Sequence, residues 1–452
     1  MRVLATTIAE LAKTEPGKRV ELSGWVHRIR ELGGVTFIML RDRSGLVQLV
    51  LEGKHNLSLE SVITVQGLVA KNEKAPGGAE VCIQTLQVLS QAEANLPFPV
   101  NGDITKIGLD VILDNRPLSL RNPRIRSIFR IQSTIIEAFA EYLRKEDFTE
   151  IKTSKLIGSG TEGGTGLFEV NYFDKKVYLA QSPQFYKQTM IASGLERVFE
   201  IAPAYRAEKH DTPRHLNEYV SLDVEMAFIS SEMDLIELEK RLLAHIFESI
   251  LRNNADDLAV WNASVPDPDA VSHAPTIAHD DALELAYSEA THSSGRGVAF
   301  NGVESVTVAE KAGKGQGFFE ITPEVERLLC AWAGREKGIE LVFVNQFPRR
   351  HRPFYTYPSS ASHTMSFDAL FRGLEITTGG RRQEQYQALL EVLPRFGLKA
   401  EDLKDYLTVF KYGCPPHGGF AIGCERLTQK VLGLANVKEA SLFPRDRRRV
   451  SP

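Results

Sequence analysis

A short loop between two apolar segments concentrates side chains that bind phosphate. Segments 199–204 and 219–228 are predicted to be antiparallel strands, because apolar residues dominate both. The loop between them carries four polar side chains that can contact an anion or a base: Arg206, Glu208, Arg214 and His215. Because guanidinium groups bind phosphate oxygens in pairs, the hairpin is predicted to hold and bend a triphosphate. Taken alone, the same residues also fit a solvated, charged loop.

Two segments upstream have the composition of an amino-acid site. In GTEGGTG, Glu162 stands beside glycines that let a ligand approach the backbone, and its carboxylate can accept from an ammonium group. In QSPQFYKQ, the SPQ turn is predicted to place Gln184 and Lys187 on one side. That side offers an amide and one compact cation. Each segment by itself is also compatible with an exposed loop.

The segment SFDALFRGLEITTGGRR has the ligand types of a magnesium site. Glu375 and Thr378 are three residues apart, and Asp368 lies seven before Glu375. Oxygens of this kind on neighbouring strands can hold Mg²⁺. The pair Gly379-Gly380 is expected to leave room for substrate, and Arg382 can make a bidentate contact with a carboxylate.

A glycine-rich strand followed by a helix is predicted in PPHGGFAIGCERLTQKVLG, with the helix opening near Glu425 and Arg426. A dinucleotide-binding GxGxxG site is excluded here, because the surrounding sequence lacks the βαβ pattern such a site requires.

The first hundred residues contain the elements of a small barrel. Five segments rich in β-branched and apolar residues are separated by short turns and a longer loop at 72–78: 20–30, 35–42, 46–51, 61–70 and 79–89. This spacing fits an OB-type barrel, a fold that commonly binds single-stranded nucleic acid. Any small β-barrel has a similar pattern, so the fold alone does not assign a function.

The rest of the chain is predicted to form an α+β domain. Residues 97–123 are rich in Pro, Asn and Asp, which suggests a hinge, and apolar residues at spacings of three and four predict an amphipathic helix at 127–145. We therefore expect an OB domain at 1–100, a hinge at 101–125 and a catalytic domain at 126–452. Within that domain, about 250–340 is expected to be a variable insertion without chemistry.

Composition limits the function classes. A chain of 452 residues with 43% hydrophobic and 25% charged residues is an ordinary globular protein of two or three domains. No segment has the length of a membrane span or the core of a signal peptide, and four scattered cysteines without a CxxC pair suggest reduced thiols in the cytoplasm. With a net charge of −4, and with 11 Lys and Arg against 10 Asp and Glu in residues 1–100, nucleic-acid binding must depend on local patches.

Together these segments resemble the class II aminoacyl-tRNA synthetases. The EIAPAYRAEKHDTPRHLNEY stretch resembles motif 2, the long helix followed by DFTEIKT resembles motif 1, and PPHGGFAIGCERL resembles motif 3. QSPQFYKQ is similar to the amino-acid-binding motif of the aspartyl enzymes, in their compact archaeal type. The resemblance implies an α+β fold, with a five-stranded OB barrel beside an antiparallel catalytic sheet flanked by helices. It also implies a homodimer that attaches aspartate to tRNA through an aspartyl-adenylate.

The resemblance assigns roles to individual residues. It implies a set of aspartate-binding residues: Glu162, Gln184, Lys187, Arg206, Asp223, Thr378 and Arg382. Within this set, Lys187 is expected to pair with the substrate's side-chain carboxylate, and Asp223 is expected to support Lys187 and the substrate's ammonium group. It implies a set for ATP: Arg206, Glu208, Arg214, His215, Leu216, Tyr219, Glu375, Gly423 and Arg426. Magnesium is expected on Glu375, Thr378 and Asp368. Arg206 and Arg426 are expected to act in catalysis.

In the barrel, Phe37, Gln48 and Glu80 match positions that such enzymes use to read the central anticodon base. Discrimination at the third base is expected near His27 and Pro76, since tRNA-Asp and tRNA-Asn differ there. Proline offers no donor to select cytosine. This favours an enzyme of relaxed specificity that charges both tRNA-Asp and tRNA-Asn, with an amidotransferase acting downstream. The chain departs from the motif 1 pattern by carrying Ser154 where a proline is usual.

Three other functions remain open on sequence. One is an enzyme that charges tRNA-Asp alone. Another is a tRNA-independent aspartate ligase, although such a ligase needs no anticodon domain. The third is a catalytically inactive RNA-binding paralogue, although such a copy has no reason to keep Lys187, Arg206, Glu375 and Arg426.

Overall fold

The computed structural model describes residues 6–11, 13–53, 55–158, 166–294 and 320–451. The chain divides into two compact units, residues 1–122 and residues 123–452. No helix in the described ranges is long and apolar enough to cross a membrane.

The first unit contains a closed β-barrel. Within the described part of this unit, five strands pair in the order β1-β2-β3-β5-β4: β1 Arg19–Leu32, β2 Val35–Arg41, β3 Leu46–Glu52, β4 Val62–Lys71 and β5 Ala79–Ser90. Alternate residues point inward, and Val26, Ile38, Leu40, Leu49 and Ile63 are completely buried there. Short helices accompany the barrel: α1 Ile8–Leu11, α2 Leu109–Asp114 and α3 Arg116–Ser119.

The second unit is built on a large sheet. Its described strands pair in the order β12-β13-β14-β15-β16-β11-β10-β6, and a small sheet has the order β7-β9-β8. The bounds are β6 Thr149–Glu150, β7 Leu156–Ile157, β8 Glu169–Tyr172, β9 Lys175–Leu179, β10 Arg197–Tyr205, β11 Glu218–Ala227, β12 Thr276–Ala278, β13 Leu341–Asn345, β14 Ser366–Phe371, β15 Leu374–Arg381 and β16 His417–Gly423. The central pairs are antiparallel, and the outermost pair at each edge is parallel.

Ten α-helices are described in this unit. They are α4 Pro123–Lys145, α5 Gln184–Met190, α6 Glu232–Asn253, α7 Ala255–Trp261, α8 Pro268–Val271, α9 His279–Ser294, α10 Pro323–Lys337, α11 Tyr386–Val392, α12 Lys404–Val409 and α13 Cys424–Leu432. The apolar faces of α4 and α6 form the main core with the inner strands. Ser231 and Asp234 form a capping box that starts α6. These features confirm the predicted fold class.

Three adjacent central strands bring distant parts of the sequence together. In β11, Asp223 pairs with Ala421 of β16, and the same Ala421 pairs with Thr378 of β15. Residues 198 and 43 positions apart in sequence therefore lie side by side on one sheet, at strand spacings of about 5 Å. A ligand on this face meets side chains from all three segments at once.

Candidate active site

One cavity of about 200 Å³ lies over the β10–β11 hairpin loop and the start of α13. All nine residues predicted to bind ATP line it: Arg206, Glu208, Arg214, His215, Leu216, Tyr219, Glu375, Gly423 and Arg426. The hairpin places the loop residues there because β10 and β11 pair in register from Arg197 with Met226 to Tyr205 with Glu218. The glycine-rich strand β16 leads directly into α13, which brings Arg426 to the same cavity.

Two of the arginines of this cavity are held by glutamate residues. Arg214 forms an ion pair with Glu326, and Arg426 donates to the backbone oxygen of Glu375 at 2.9 Å. Burial and the nearby Arg426 guanidinium lower the pKa of His215 below its usual range, so this ring is neutral at neutral pH. The arrangement provides fixed cations and one uncharged imidazole along a surface suited to phosphates.

A second cavity, of about 560 Å³, adjoins the first. The two share six lining residues: Arg206, Tyr219, Ser221, Glu375, Thr378 and Ala421. Five of the seven residues predicted to bind aspartate line the second cavity: Gln184, Arg206, Asp223, Thr378 and Arg382. Gln184 and Lys187 lie in helix α5, so their common side results from helical spacing and not from a turn.

Four buried charged side chains meet at this cavity, and two of them, Asp223 and Arg382, line it. The Lys187 Nζ atom lies 2.8 Å from Asp223 Oδ1 and 3.4 Å from Glu225 Oε2. Arg382 donates from Nε to Glu225 Oε1 at 3.0 Å. Burial alone would raise the pKa of Glu225, but the charges of Arg382 and Lys187 lower it below the usual value. Two cations and two carboxylates therefore form one buried cluster, held further by the Gly419 backbone oxygen, which accepts from Arg382 at 2.9 Å.

Asp223 Oδ2 and Gln184 Nε2 are buried polar atoms at this cavity that have no hydrogen-bond partner among the described residues, and Arg352 Nε is another. The amide of Gln184 is oriented by its oxygen, which accepts from Arg382 at 3.2 Å. An unpaired carboxylate oxygen and an unpaired amide donor in one cavity match the ammonium and a carboxylate of an amino acid.

Lys187 differs from the expectation. Its side chain is fully buried and does not line the cavity, whereas its ion-pair partner Asp223 does. Backbone oxygens of Val224 and Phe420 also accept from its ammonium, at 3.2 and 3.5 Å. Arg382 is thus the cation of the cluster that lines the cavity itself. Glu162, the remaining predicted aspartate contact, lies outside the described residues.

The glycine pair in β15 lies where neighbouring strands pack closely. A side chain at Gly379 would approach Phe420 to 2.6 Å and Phe367 to 2.8 Å, and one at Gly380 would approach the Met365 backbone oxygen to 2.7 Å. These glycines are therefore required by packing between strands, and Gly379 also lines the second cavity, where a side chain would compete with a ligand.

The predicted magnesium residues separate into two groups. Glu375 and Thr378 line both cavities. Asp368 lines neither, because its carboxylate accepts from Thr378 at 2.6 Å and pairs with Arg352 at 2.8 Å. Burial raises the pKa of Asp368 to about 6 despite the Arg352 charge. The structure thus places Asp368 behind Thr378 and not at the cavity.

The described residues contain no group of three or more His, Cys, Asp or Glu side chains arranged to hold a metal alone. Magnesium bound by one or two protein oxygens together with substrate phosphates needs no such cage. Glu375 and Thr378 supply those oxygens beside the arginine-lined cavity, so the residues present fit Mg²⁺ bound with a nucleotide.

Sequence reasoning missed three residues of this region: Glu225, Arg352 and Glu326. Glu225 lies two residues after Asp223 in β11 and therefore on the same face of the strand, so its position was a usable signal. Arg352 lines the second cavity and donates to Thr378 at 2.7 Å. Glu326 belongs to the segment expected to carry no chemistry, and nothing in its local sequence distinguishes it.

The barrel presents a second group of predicted residues on its outer face. Gln48 and Glu80 are register partners on β3 and β5, and Gln48 donates to Glu80 at 2.7 Å. Phe37 on β2 is half-buried on the same outward side, because its neighbours Thr36 and Ile38 point into the barrel. An aromatic ring near an amide–carboxylate pair is suited to contact an unstacked base.

His27 and Pro76 occupy different local settings. His27 lies at a bulge in β1, where the register with β2 shifts between Val26 and Arg28. Its ring nitrogen Nδ1 is 3.0 Å from Arg41, and burial with this charge lowers the pKa of His27. Pro76 is exposed and opens the turn Pro76–Gly78 before β5.

Family models and known relatives match this chain over almost its whole length. Residues 108–447 match the family model described as tRNA synthetases class II (D, K and N), and residues 20–89 match the model described as an OB-fold nucleic acid binding domain. The aspartate–tRNA(Asp/Asn) ligase of Thermus thermophilus is 44% identical over 100% of both chains. The aspartate–tRNA(Asp) ligase of Pyrococcus abyssi is 39% identical over 98% of each.

A solved structure shares the architecture as well. The asparaginyl-tRNA synthetase of Pyrococcus horikoshii, complexed with asparaginyl-adenylate, aligns with a TM-score of 0.85 and 29% identity, covering 100% of both chains. With a family model covering most of the chain and full-length relatives well above 30% identity, this chain belongs to the class II tRNA synthetases of the D, K and N group, in their aspartate–tRNA ligase family.

Proposed function

We propose that this protein attaches L-aspartate to tRNA through an aspartyl-adenylate made from ATP, and that it charges both tRNA-Asp and tRNA-Asn. The observation that carries the amino-acid assignment is the cavity where Asp223 Oδ2 and Gln184 Nε2 are unpaired beside Arg382. An ammonium pairs with Asp223, and a side-chain carboxylate pairs with Arg382. The buried Lys187 charge beneath them favours an anionic side chain over a neutral amide.

ATP is assigned to the adjoining cavity. Arg214, His215 and Arg426 provide the cationic and hydrogen-bonding surface for a bent triphosphate. Glu375 and Thr378 would hold Mg²⁺, and the ion, when bound, neutralises phosphate charge. Asp368 and Arg352 position the Thr378 hydroxyl from behind.

The chemistry is assigned to the place where the two cavities meet. Arg206 lines both, so its guanidinium can contact an α-phosphate and the attacking carboxylate together. The aspartate α-carboxylate oxygen attacks the α-phosphorus, the bond to the β-phosphate oxygen breaks, and pyrophosphate leaves. Arg206 stabilises the negative charge that develops on the α-phosphate oxygens. The protein supplies position and charge, and no protein nucleophile is required.

Relaxed tRNA choice is assigned to the barrel. Phe37, Gln48 and Glu80 contact the central anticodon base that both tRNAs share. At the third base, Pro76 supplies no donor, and the His27 ring is already engaged by Arg41. Support for charging of both tRNAs also comes from the Thermus thermophilus relative, which carries an Asp/Asn name. Such an enzyme implies an amidotransferase that converts Asp-tRNA-Asn.

We also propose a homodimer formed through the motif 1 segment, which the family resemblance implies. Ser154 replaces the usual proline there. Its hydroxyl donates to the Leu156 backbone oxygen at 2.9 Å and accepts from the Leu156 amide at 3.2 Å. These local bonds can stiffen the segment in place of the proline ring. Sedimentation of the purified protein tests this assignment, and a monomer at micromolar concentration would refute it.

The activity is tested in two steps. Pyrophosphate exchange into ATP, measured with aspartate and separately with asparagine, should require aspartate. Labelled aspartate should then appear on added tRNA. Exchange without charging would indicate a tRNA-independent ligase, and absence of exchange would indicate an inactive RNA-binding protein.

A further inference from the structure

We propose that Glu326 is a positioning residue of the ATP site, which holds Arg214 and the Glu375 backbone through one carboxylate oxygen. This inference rests on the proposed function. Glu326 lies in α10, in the segment where no functional residue was expected, and it lines neither cavity. It therefore acts through its neighbours and does not contact substrate.

A single atom of Glu326 connects two elements of the site. Its Oε2 atom forms the ion pair with Arg214 NH2 from the β10–β11 loop. The same Oε2 accepts from the backbone amide of Glu375, at the start of β15, at 3.3 Å. The carboxylate thus joins an arginine assigned to phosphate and a residue assigned to magnesium.

The second contact occurs where β15 is irregular. The ladder between β14 and β15 shifts register, so that Leu370 pairs with Glu375 while Ala369 pairs with Thr377. The extra residue, Ile376, forms a bulge, and bulges redirect neighbouring side chains. By accepting from the Glu375 amide, Glu326 stabilises the bulge that turns the Glu375 side chain toward both cavities.

Glu326 is itself held rigidly. Its helix is capped by the Thr322 side chain, which accepts from the Val325 amide, and Val325 and Leu329 are completely buried. The Glu326 side chain is nearly buried, whereas the partner side chain of Arg214 is partly exposed. Because the Glu326 carboxylate is fixed, its ion pair restricts the long, flexible Arg214 side chain to conformations that face the cavity.

The experiment measures pyrophosphate exchange by Glu326→Gln, Arg214→Ala, the double variant and the wild type, with ATP and aspartate varied separately. Glutamine keeps the size and an acceptor oxygen for the Glu375 amide but removes the charge that holds Arg214. We expect the KM for ATP to rise about tenfold in Glu326→Gln while the KM for aspartate stays within about twofold. Glu336→Gln, an exposed change on the same helix, is the matched control and should match the wild type.

The double variant separates positioning from general damage. If Glu326 acts through Arg214, adding Glu326→Gln to Arg214→Ala should change the KM for ATP by less than about twofold. The inference would be overturned if the effects of the two substitutions on the KM for ATP multiplied in the double variant, or if Glu326→Gln left that KM unchanged. Exchange by the wild type would leave the proposed function intact in either case. If Glu326→Gln fails to fold by circular dichroism, Glu326→Asp, which keeps the charge on a shorter side chain, is measured by the same criteria. Absence of exchange in the wild type would instead refute the proposed function.

Discussion

The Lys187 ammonium and the Asp223 carboxylate lie 2.8 Å apart, and both side chains are buried. Only one oxygen of Asp223 is used by this pair, and the other has no hydrogen-bond partner among the described residues. The pair therefore fixes Asp223 in place and leaves one oxygen directed to a ligand. In this account Lys187 sets the charge of the site from beneath, and Arg382 and Asp223 make the contacts.

Replacing Lys187 should weaken both the fold and the binding of aspartate. Lys187→Gln leaves Asp223 as a buried, uncompensated carboxylate, so the free energy of unfolding should fall by about 3 kcal/mol. The KM for aspartate should rise by at least about tenfold, since a cationic charge near the substrate is lost. Urea unfolding and pyrophosphate exchange measure these effects. Lys411→Gln, an exposed lysine, is the control, and equal behaviour of both variants would contradict the assignment.

The close approach of β16 to β11 predicts the effect of a single methyl group. A side chain at Gly419 would lie 2.0 Å from the Val224 backbone oxygen and 2.2 Å from Glu225 Oε2. Gly419→Ala should therefore destabilise the protein by about 1 to 3 kcal/mol and displace Glu225 from Arg382. Thermal unfolding and aspartate KM are the measurements. Gly158→Ala, where a side chain meets nothing within 4 Å, should have little effect.

Glu239 in α6 predicts a dependence of stability on pH. Burial raises its pKa from 4.5 to about 8, because the loss of hydration exceeds the favourable contact with the Thr377 hydroxyl. A raised carboxyl pKa means that the folded state binds the proton more tightly than the unfolded state does. The free energy of unfolding therefore falls as the pH rises from about 4.5 through about 8.

Glu239→Gln should remove this loss. Between pH 6 and pH 9 the wild type should lose on the order of 2 kcal/mol of unfolding free energy relative to Glu239→Gln. Urea unfolding at the two pH values gives the difference. Glu237→Gln, half-exposed on the same helix, should follow the wild type. If the difference in unfolding free energy between the wild type and Glu239→Gln does not change with pH, Glu239 is not held neutral by burial.

Pro76 predicts a change in tRNA choice. Pro76→Lys adds a donor at the exposed turn before β5, and the N3 atom of cytosine accepts a hydrogen bond where the N3–H group of uracil donates one. We expect charging of tRNA-Asn to fall at least about tenfold relative to tRNA-Asp, with pyrophosphate exchange unchanged. Glu73→Lys, in the same loop, controls for added charge. Equal loss on both tRNAs in both variants would show a general effect of charge.

The sequence predicted most of the fold because the relevant signals are local. The strand predicted at 46–51 is observed at Leu46–Glu52, and the helix predicted at 127–145 is observed at Pro123–Lys145. Pro123 at the first helical position explains the earlier start, since proline fits there without losing a hydrogen bond. Segments rich in β-branched and apolar residues, separated by turns, located the barrel strands in the same way.

Long-range partners could not be predicted in this way. Glu326 contacts Glu375 across 49 residues, and its own helix has no motif that indicates the contact. The pattern at Gly379 shows that a side chain is missing but not that Phe420 requires the space. Asp368 had the right ligand type and spacing, yet Arg352 from a separate loop engages its carboxylate. Each of these outcomes depends on tertiary packing between segments distant in sequence.

The most direct test of the central claim is aspartylation of purified tRNA-Asp and tRNA-Asn transcripts in parallel, with ATP, Mg²⁺ and labelled aspartate. The account predicts charging of both tRNAs at comparable rates, with no product when asparagine replaces aspartate. Charging of tRNA-Asp alone would contradict the assignment of relaxed choice to His27 and Pro76. Charging of neither tRNA would contradict the proposed function as a whole.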